Sequence, residues 1–229
     1  LKPGAVLMNS SLLSVSISQF IEKLIPEDRY FVTFQPTLNP QYLHETSQSI
    51  EFAHEDLFKN SKVIITSSPA SDGDAVKLAA DLAHYIGASP YFADPYEIDG
   101  LIAATELLPQ LTSAAYIHAV SEQPGWLEGR KIAGSTFQAF SGNITLLNER
   151  ELTGKTAINN KENTVRVINN LMLALKDIRE LIEAGDQPSV EEWLNAAREN
   201  RDTWLHERSQ AKWDQVEDYS QVPTSGDFF

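Results

Sequence analysis

Residues 62–92, KVIITSSPASDGDAVKLAADLAHYIGASPYF, decide the architecture. Lys62-Val63-Ile64-Ile65-Thr66 is a short, β-branched run with the composition of a strand. Val76, Ala79, Ala80 and Ala83 then recur at helical spacing. Ser71 or Asp72 offers a cap in front of them, and Gly87 stands where such a helix stops. Ser89-Pro90-Tyr91-Phe92 returns to strand character. Strand, helix and strand in this order predict a β-α-β unit on a mostly parallel sheet.

Upstream the same alternation holds. Ala5 to Met8 reads as a strand. Ile17, Phe20, Ile21, Leu24 and Ile25 then mark one face of a helix that Pro26 stops, and Tyr30-Phe31-Val32-Thr33-Phe34 is a further strand. Downstream the pattern changes at Asp94. Ile98 to Val120 reads as a helix kinked at Pro109, followed by a glycine-punctuated stretch from Gly125 to Gly142. A long helix is expected over Ala157 to Ala184, terminated by Gly185. Its stripe comprises Ile158, Val165, Ile168, Leu171, Met172, Leu175, Ile178 and Ile182. Ser189-Val190-Glu191-Glu192 has the pattern of a capping box opening a last helix, with Trp193, Ala197 and Trp204 on one face. Asp214 to Phe229 reads as a loose acidic tail. The predicted class is therefore α/β, a partial Rossmann-like parallel sheet, followed by an all-α domain. The boundaries fall at residues 1–93 and 94–229.

The apolar stripe of the long helix has two readings. It is either core, or it pairs with a second copy across a two-fold axis. The stripe is generous for a region that is nearly all helix, which favours a homodimer.

Composition narrows the function classes. The chain has 229 residues, 18 basic against 32 acidic, for a net charge of −14. Such a surface repels phosphate backbones and anionic headgroups, which argues against nucleic-acid and membrane-surface partners. The absence of cysteine excludes disulfides, thiol catalysis and thiolate metal sites, and fits a reducing compartment. No apolar run has the length of a membrane span and no signal peptide opens the sequence, so a cytoplasmic location is the expectation. The start at Leu1-Lys2-Pro3-Gly4, without methionine and already entering a strand, reads as the rear part of a longer protein.

Familiar chemistry-bearing motifs are missing. His44, His54, His84, His118 and His206 are scattered, with no pair at metal-site spacing. There is no G-x-G-x-x-G, P-loop or G-x-S-x-G, and Gly125, Gly129 and Gly134 are too far apart to cradle a phosphate. Glu97, Asp99 and Glu106 fall near one helix face, where a solvated surface and general acid–base work are both open readings.

A set of short matches runs through most of the chain in order. They are Leu1-Lys2-Pro3-Gly4-Ala5-Val6, Phe34-Gln35-Pro36, Asp56-Leu57-Phe58 and Val63-Ile64-Ile65-Thr66, then Ile86-Gly87-Ala88 and Pro95-Tyr96-Glu97-Ile98-Asp99. Leu107-Leu108-Pro109-Gln110, Ile132-Ala133-Gly134 ahead of Phe137, and Asn160-Lys161 complete the series. In this order and spacing they resemble the second half of the nucleotide-binding domain of prephenate and arogenate dehydrogenases, followed by that family's dimerisation domain. The resemblance implies NAD or NADP as cofactor and a small carboxylic acid as substrate. It also implies an oxidative decarboxylation in tyrosine biosynthesis, with a histidine taking the ring-hydroxyl proton and an arginine holding a carboxylate.

Against that template the chain departs at the reacting positions. Gln35 stands where the family's H-P motif has histidine, and an amide accepts a hydrogen bond but no proton. Asn9-Ser10-Ser11-Leu12-Leu13-Ser14 replaces D-x-G-S-x-K, so the serine position is Leu12. Leu107 and Gln110 replace the two histidines of S-H-L-P-H, and Gly142 aligns with the arginine of T-R-I-A. Asp99 matches the family's aspartate, although a helix cap is an equal reading of it. The resemblance therefore nominates Gln35 and Gln110 at catalytic positions and Asn9, Ser11 and Arg130 for substrate binding. Arg130 and Lys131 are candidates for a replacement cation, and a surface role is the alternative reading of both. Gln35, Asn9 and Gln110 are expected to line a polar cleft.

Overall fold

The computed structural model describes residues 1–11, 15–45, 50, 53–67, 73–147 and 152–211. Four strands, β1 (Val6–Asn9), β2 (Tyr30–Pro36), β3 (Lys62–Ser67) and β4 (Ser89–Phe92), lie in one sheet in chain order. The outer pairs are parallel, Val6 opposite Tyr30 and Val63 opposite Pro90. Each is joined by a helical crossover, α1 (Val15–Ile21) and α2 (Gly73–Tyr85). The central β2–β3 pair is antiparallel, Phe34 opposite Ile65. Its direction follows from the connection. Beyond Pro36 the Thr37 N–H already bonds the Lys62 carbonyl at 2.8 Å, so β3 begins at the end of the sheet where β2 leaves it. Among the described residues of 37–61 no helix carries the chain back across, and the sheet is mixed.

The face of the sheet toward α2 is the apolar one. Val32, Val63 and Ile65 are buried against Ala75, Ala79 and Ala83, with Val6, Met8, Tyr30, Phe34 and Phe92 around them. Alanines four apart let the helix backbone approach the sheet closely. α2 ends in a Schellman motif: Ala88 N–H bonds Ala83 O at 3.0 Å, Gly87 N–H bonds His84 O at 3.0 Å, and Gly87 has φ +78°. That left-handed backbone is why glycine stands there.

The chain forms two compact units, Leu1–Pro95 with Asp177–Phe229, and Tyr96–Lys176. In the second, α3 (Pro95–Ile102) passes into a π-helical turn, Ala103–Leu107, and then into α4 (Leu108–Ser121). The expected kink at Pro109 takes this form. Proline lacks the N–H an α-helix would use and its ring crowds the preceding turn, so the ladder widens upstream and Leu108 N–H bonds Ala103 O. α5 (Trp126–Ile132) and α6 (Ser135–Ser141) follow, then α7 (Leu152–Asn159) and α8 (Lys161–Glu183). Ala103, Leu107 and Val167 form the buried cluster, with Leu108 and Leu111 against it. Tyr116 lies edge-on to Phe140 at 4.9 Å, and the Ser113 hydroxyl donates to Phe140 O at 2.5 Å.

Several helix boundaries differ from the sequence expectation. α1 stops at Ile21, where the Leu24 and Ile25 N–H groups share one carbonyl, and Phe20 and Leu24 are exposed. The long helix begins at Lys161, because Asn160 breaks it from α7 and turns its amide to Asp99 O. α9 (Gln187–Gln210) is capped by Asp186, which accepts from Ser189 N–H and from the Ser189 hydroxyl. Pro188 in the first turn moves the start ahead of Ser189. Of the stripe on α8, Val165, Met172, Leu175 and Ile182 are at least half exposed, while Ile168, Leu171 and Ile178 are partly buried. Ser71, Asp72, Leu12 to Ser14 and the tail from Asp214 lie outside the described residues.

Candidate functional site

The face of the sheet opposite α2 carries the polar residues. Side chains alternate along β2, so Phe31, Thr33 and Gln35 point away from the α2 core. Asn9 sits opposite Thr33, and Thr33 opposite Thr66, which makes one polar row across β1, β2 and β3. Thr33, Thr66 and Gln35 are buried, yet among the described residues Thr33 Oγ1, Thr66 Oγ1 and Gln35 Oε1 have no hydrogen-bond partner. Buried polar atoms are nearly always satisfied, and leaving one unpaired costs about 1–3 kcal/mol. At its edge Asn9 and Ser11 close an Asx turn, Asn9 Nδ2 donating to Ser11 Oγ at 2.8 Å and Ser11 N–H to Asn9 Oδ1 at 3.2 Å.

The connection after β2 is tied down by a second polar group. Tyr42 OH donates to Asp56 Oδ1 at 2.6 Å. That bond raises the phenol pKa and lowers the carboxyl. The His54 ring stacks on Tyr42 at 4.0 Å, and its Nε2 lies 3.2 Å from both Glu45 carboxylate oxygens. Arg208 on α9 reaches the strand end itself, its Nη2 donating to Thr37 Oγ1 at 3.2 Å and to Leu38 O at 2.7 Å.

In the helical unit the nominated positions lie in different settings. Leu107 is core, so one expected histidine position is a hydrophobic contact. Gln110 Oε1 accepts from Thr153 Oγ1 at 3.1 Å and ties α4 to α7. Asp99 lies inside α3, which rules out the helix-cap reading. It is buried, and its carbonyl accepts Asn160 Nδ2 at 2.6 Å. Glu106, in the π turn, keeps an exposed surface although the protein packed around its carboxyl raises its pKa. Arg130 is exposed in the last turn of α5, where a cation complements the helix dipole, and its neighbour Lys131 pairs with Glu128 at 2.7 Å. Gly142 has φ −59° and open space where a side chain would project, so nothing local demands glycine there.

Sequence reasoning singled out Gln35, Asn9 and Ser11, which the first unit places on or beside one sheet face. It missed Thr33 and Thr66, whose polar character inside two apolar strands was the available signal. It also missed Arg208, whose partners lie some 170 positions away in the chain. Among the described residues no group of three or more His, Asp or Glu is placed to hold a metal ion, and no helix is long and apolar enough to cross a membrane.

A mixed α/β unit continuing into a helical region defines the class: a Rossmann-like domain with a helical companion. No family model and no curated protein matches the sequence. Solved structures give the particular likeness. Arogenate dehydrogenase from Synechocystis superposes with TM-score 0.72 at 20% identity, over 89% of this chain and 70% of that one. Prephenate dehydrogenase from A. aeolicus, in complex with hydroxyphenyl propionate and NAD+, gives 0.73 at 19% identity, over 88% and 68%. A putative prephenate dehydrogenase from Corynebacterium glutamicum gives 0.69 at 14%, over 90% and 62%. The chain has the fold of the prephenate and arogenate dehydrogenases.

The dinucleotide of that fold does not find its usual cradle among these residues. A pyrophosphate is held by a glycine-rich turn leading into a helix N-terminus. Here the segment after β1, Ser10 to Ser14, has no glycine, and the one after β3 has only Gly73.

Proposed function

We propose that this is a prephenate/arogenate dehydrogenase-like protein. Its reading is NAD(P)-dependent oxidative decarboxylation of a cyclohexadienyl acid, in weakened or altered form. The shared fold supports the class, and Gln35 supports the qualification. Gln35 stands where the family's histidine is expected, and its amide is buried, with Oε1 unpartnered among the described residues. An amide does not take the proton onward at neutral pH, and loss of a general base slows such a step by about 10²–10⁴-fold. The test is prephenate- and arogenate-dependent reduction of NAD and NADP by the protein in its full natural length, beside the A. aeolicus enzyme. A rate about 100-fold or more below that enzyme supports the reading. An equal rate overturns the role given to Gln35.

The exposed flank of α8 favours a second reading, a non-catalytic homodimer that binds a small carboxylic acid or a partner. Val165, Met172, Leu175 and Ile182 leave apolar surface open. Covering such side chains contributes about 1.5–3 kcal/mol each at full burial, and roughly half of that here. Sedimentation is expected to give a dimer, and Met172→Glu with Leu175→Glu a folded monomer. A wild-type monomer at micromolar concentration rules the dimer out. Detectable acid binding with no turnover favours this reading over the first.

A further inference from the structure

Of the chain's 5 histidines, His44, His84, His118 and His206 are exposed. His54 is partly withdrawn from water, and it meets an acid across a turn of chain rather than along a helix. Its Nε2 lies 3.2 Å from both carboxylate oxygens of Glu45, 9 positions away. His118, by contrast, faces Glu122 one helical turn on, with both side chains in solvent. A pair in open water contributes little, whereas one set in a partly buried network is screened less.

The face of the ring is held as well as its edge. His54 lies on Tyr42 with the two planes 1° apart and the centres 4.0 Å apart. The face of a phenol carries negative charge, so this stack favours a cationic ring over a neutral one. Tyr42 in turn donates to Asp56 Oδ1 at 2.6 Å, and Gln41 Nε2 donates to Asp56 Oδ2 at 3.1 Å. The Tyr42 hydroxyl does most to hold the Asp56 carboxyl below its ordinary value, and attraction to His54 adds to it. The imidazole thus has Glu45 at its edge, Tyr42 on its face and Asp56 beyond, with Glu55 next to it in the chain. From α9, Arg208 reaches this connection at Thr37 and Leu38.

Imidazole is the side chain whose charge changes between about pH 5 and 8. A neutral ring can still donate one hydrogen bond to Glu45, but the attraction between full charges and the pull of the phenol face are gone. The group is also joined to its surroundings. Buried Asn39 donates from Nδ2 to Asp56 O at 3.1 Å and from its N–H to Leu57 O at 2.7 Å. The preceding residue, Leu38, gives its carbonyl to Arg208 of α9 at 2.7 Å, and α9 packs against the Pro40–Tyr42 turn. We propose that Tyr42, Glu45, His54 and Asp56 form a proton-operated clasp, tight when the His54 ring carries charge and looser when it is neutral, which sets how firmly the end of α9 is seated on the sheet unit. The fold then holds more firmly at mildly acid pH than at mildly alkaline pH at this one place.

The test is hydrogen exchange of the wild type, His54→Gln and Glu45→Gln at about pH 5.5 and about pH 8, on either side of the imidazole range. Each amide is corrected for its intrinsic exchange rate, and circular dichroism confirms each fold. In the wild type, protection of residues 37–45 and 53–57 is expected to be roughly 2–5-fold greater at the lower pH, the effect of a partly exposed charge pair. The last turn of α9 is expected to follow, while β3 serves as the internal reference. Glu45→Gln keeps the histidine and the stack, so it should diminish the difference, and His54→Gln should abolish it. Equal wild-type protection at both pH values overturns the clasp. So does a difference that survives in both variants, or a loss in His54→Gln that is the same at both pH values, since the ring would then act by packing alone. A flat response in α9 beside a rising one in 37–45 overturns the link to that helix.

Discussion

Replacing Gln35 by leucine separates what the fold needs from what the site needs. Gln35 is 8% exposed and its Oε1 is buried with no donor in reach among the described residues. A carbonyl taken out of water without a partner costs about 1–3 kcal/mol, and leucine has nearly the same volume with nothing to satisfy. Neighbouring Thr33 and Phe31 are buried on the same face, so the new side chain meets protein there. Gln35→Leu is therefore expected to stabilise the sheet unit by about 1 kcal/mol. For a chain of this size each kcal/mol moves the midpoint by about 2–4 °C. Differential scanning calorimetry on wild type and variant measures the shift, and the same samples should lose binding of hydroxy acids. A variant less stable by 1 kcal/mol or more refutes the argument, since it would mean the amide oxygen is satisfied in the folded protein.

Asn160→Ala removes the buried amide bond to Asp99 O and is expected to cost about 1–3 kcal/mol in urea unfolding. Asn160→Asp should cost more, because it sets an oxygen against that carbonyl; the reverse order would contradict the geometry. The bonds from Ser189 hold the Asp186 carboxyl below its ordinary value, so its contribution to α9 is present above pH 3.8 and is lost as pH falls through the lower folded value. Helicity of wild type against Asp186→Asn across that acid range checks it, and identical profiles would speak against the cap. Residues 1–229 alone, lacking a glycine cradle, should show no NAD binding by calorimetry tighter than about 100 µM, or about −5.5 kcal/mol.

What could be read beforehand was local. The four strands and α2 declared themselves through short apolar runs, alanines at helical spacing and a glycine stop, whereas the break at Asn160 ahead of α8 did not. Direction was not readable. Whether β3 runs with or against β2 depends on which end of the sheet the 37–61 connection returns to, and composition is silent on that. Between Asp186 and Ser189 both cap chemistries were present, and only the backbone decides which one starts α9. In the candidate site, Gln35 was visible as a departure from the template. The orphan hydroxyls of Thr33 and Thr66 needed the register, because threonine in a strand is ordinary until its partner is known. Arg208 needed the tertiary fold, since nothing near it in the chain hints at Leu38.

The π turn between α3 and α4 sets the phase of everything after it. One extra residue per turn advances the following helix by about 100° around its axis. Glu106, Leu107 and Gln110 therefore face directions that an unbroken helical wheel from Ile98 misassigns. Leu107 turns inward to Val167 while Gln110 meets Thr153. A residue lost from 103–107 would re-index α4 as a whole, presenting a new set of side chains on an unchanged scaffold. Insertion or deletion at that single point is a route by which this fold can exchange one lining for another without redesigning a helix.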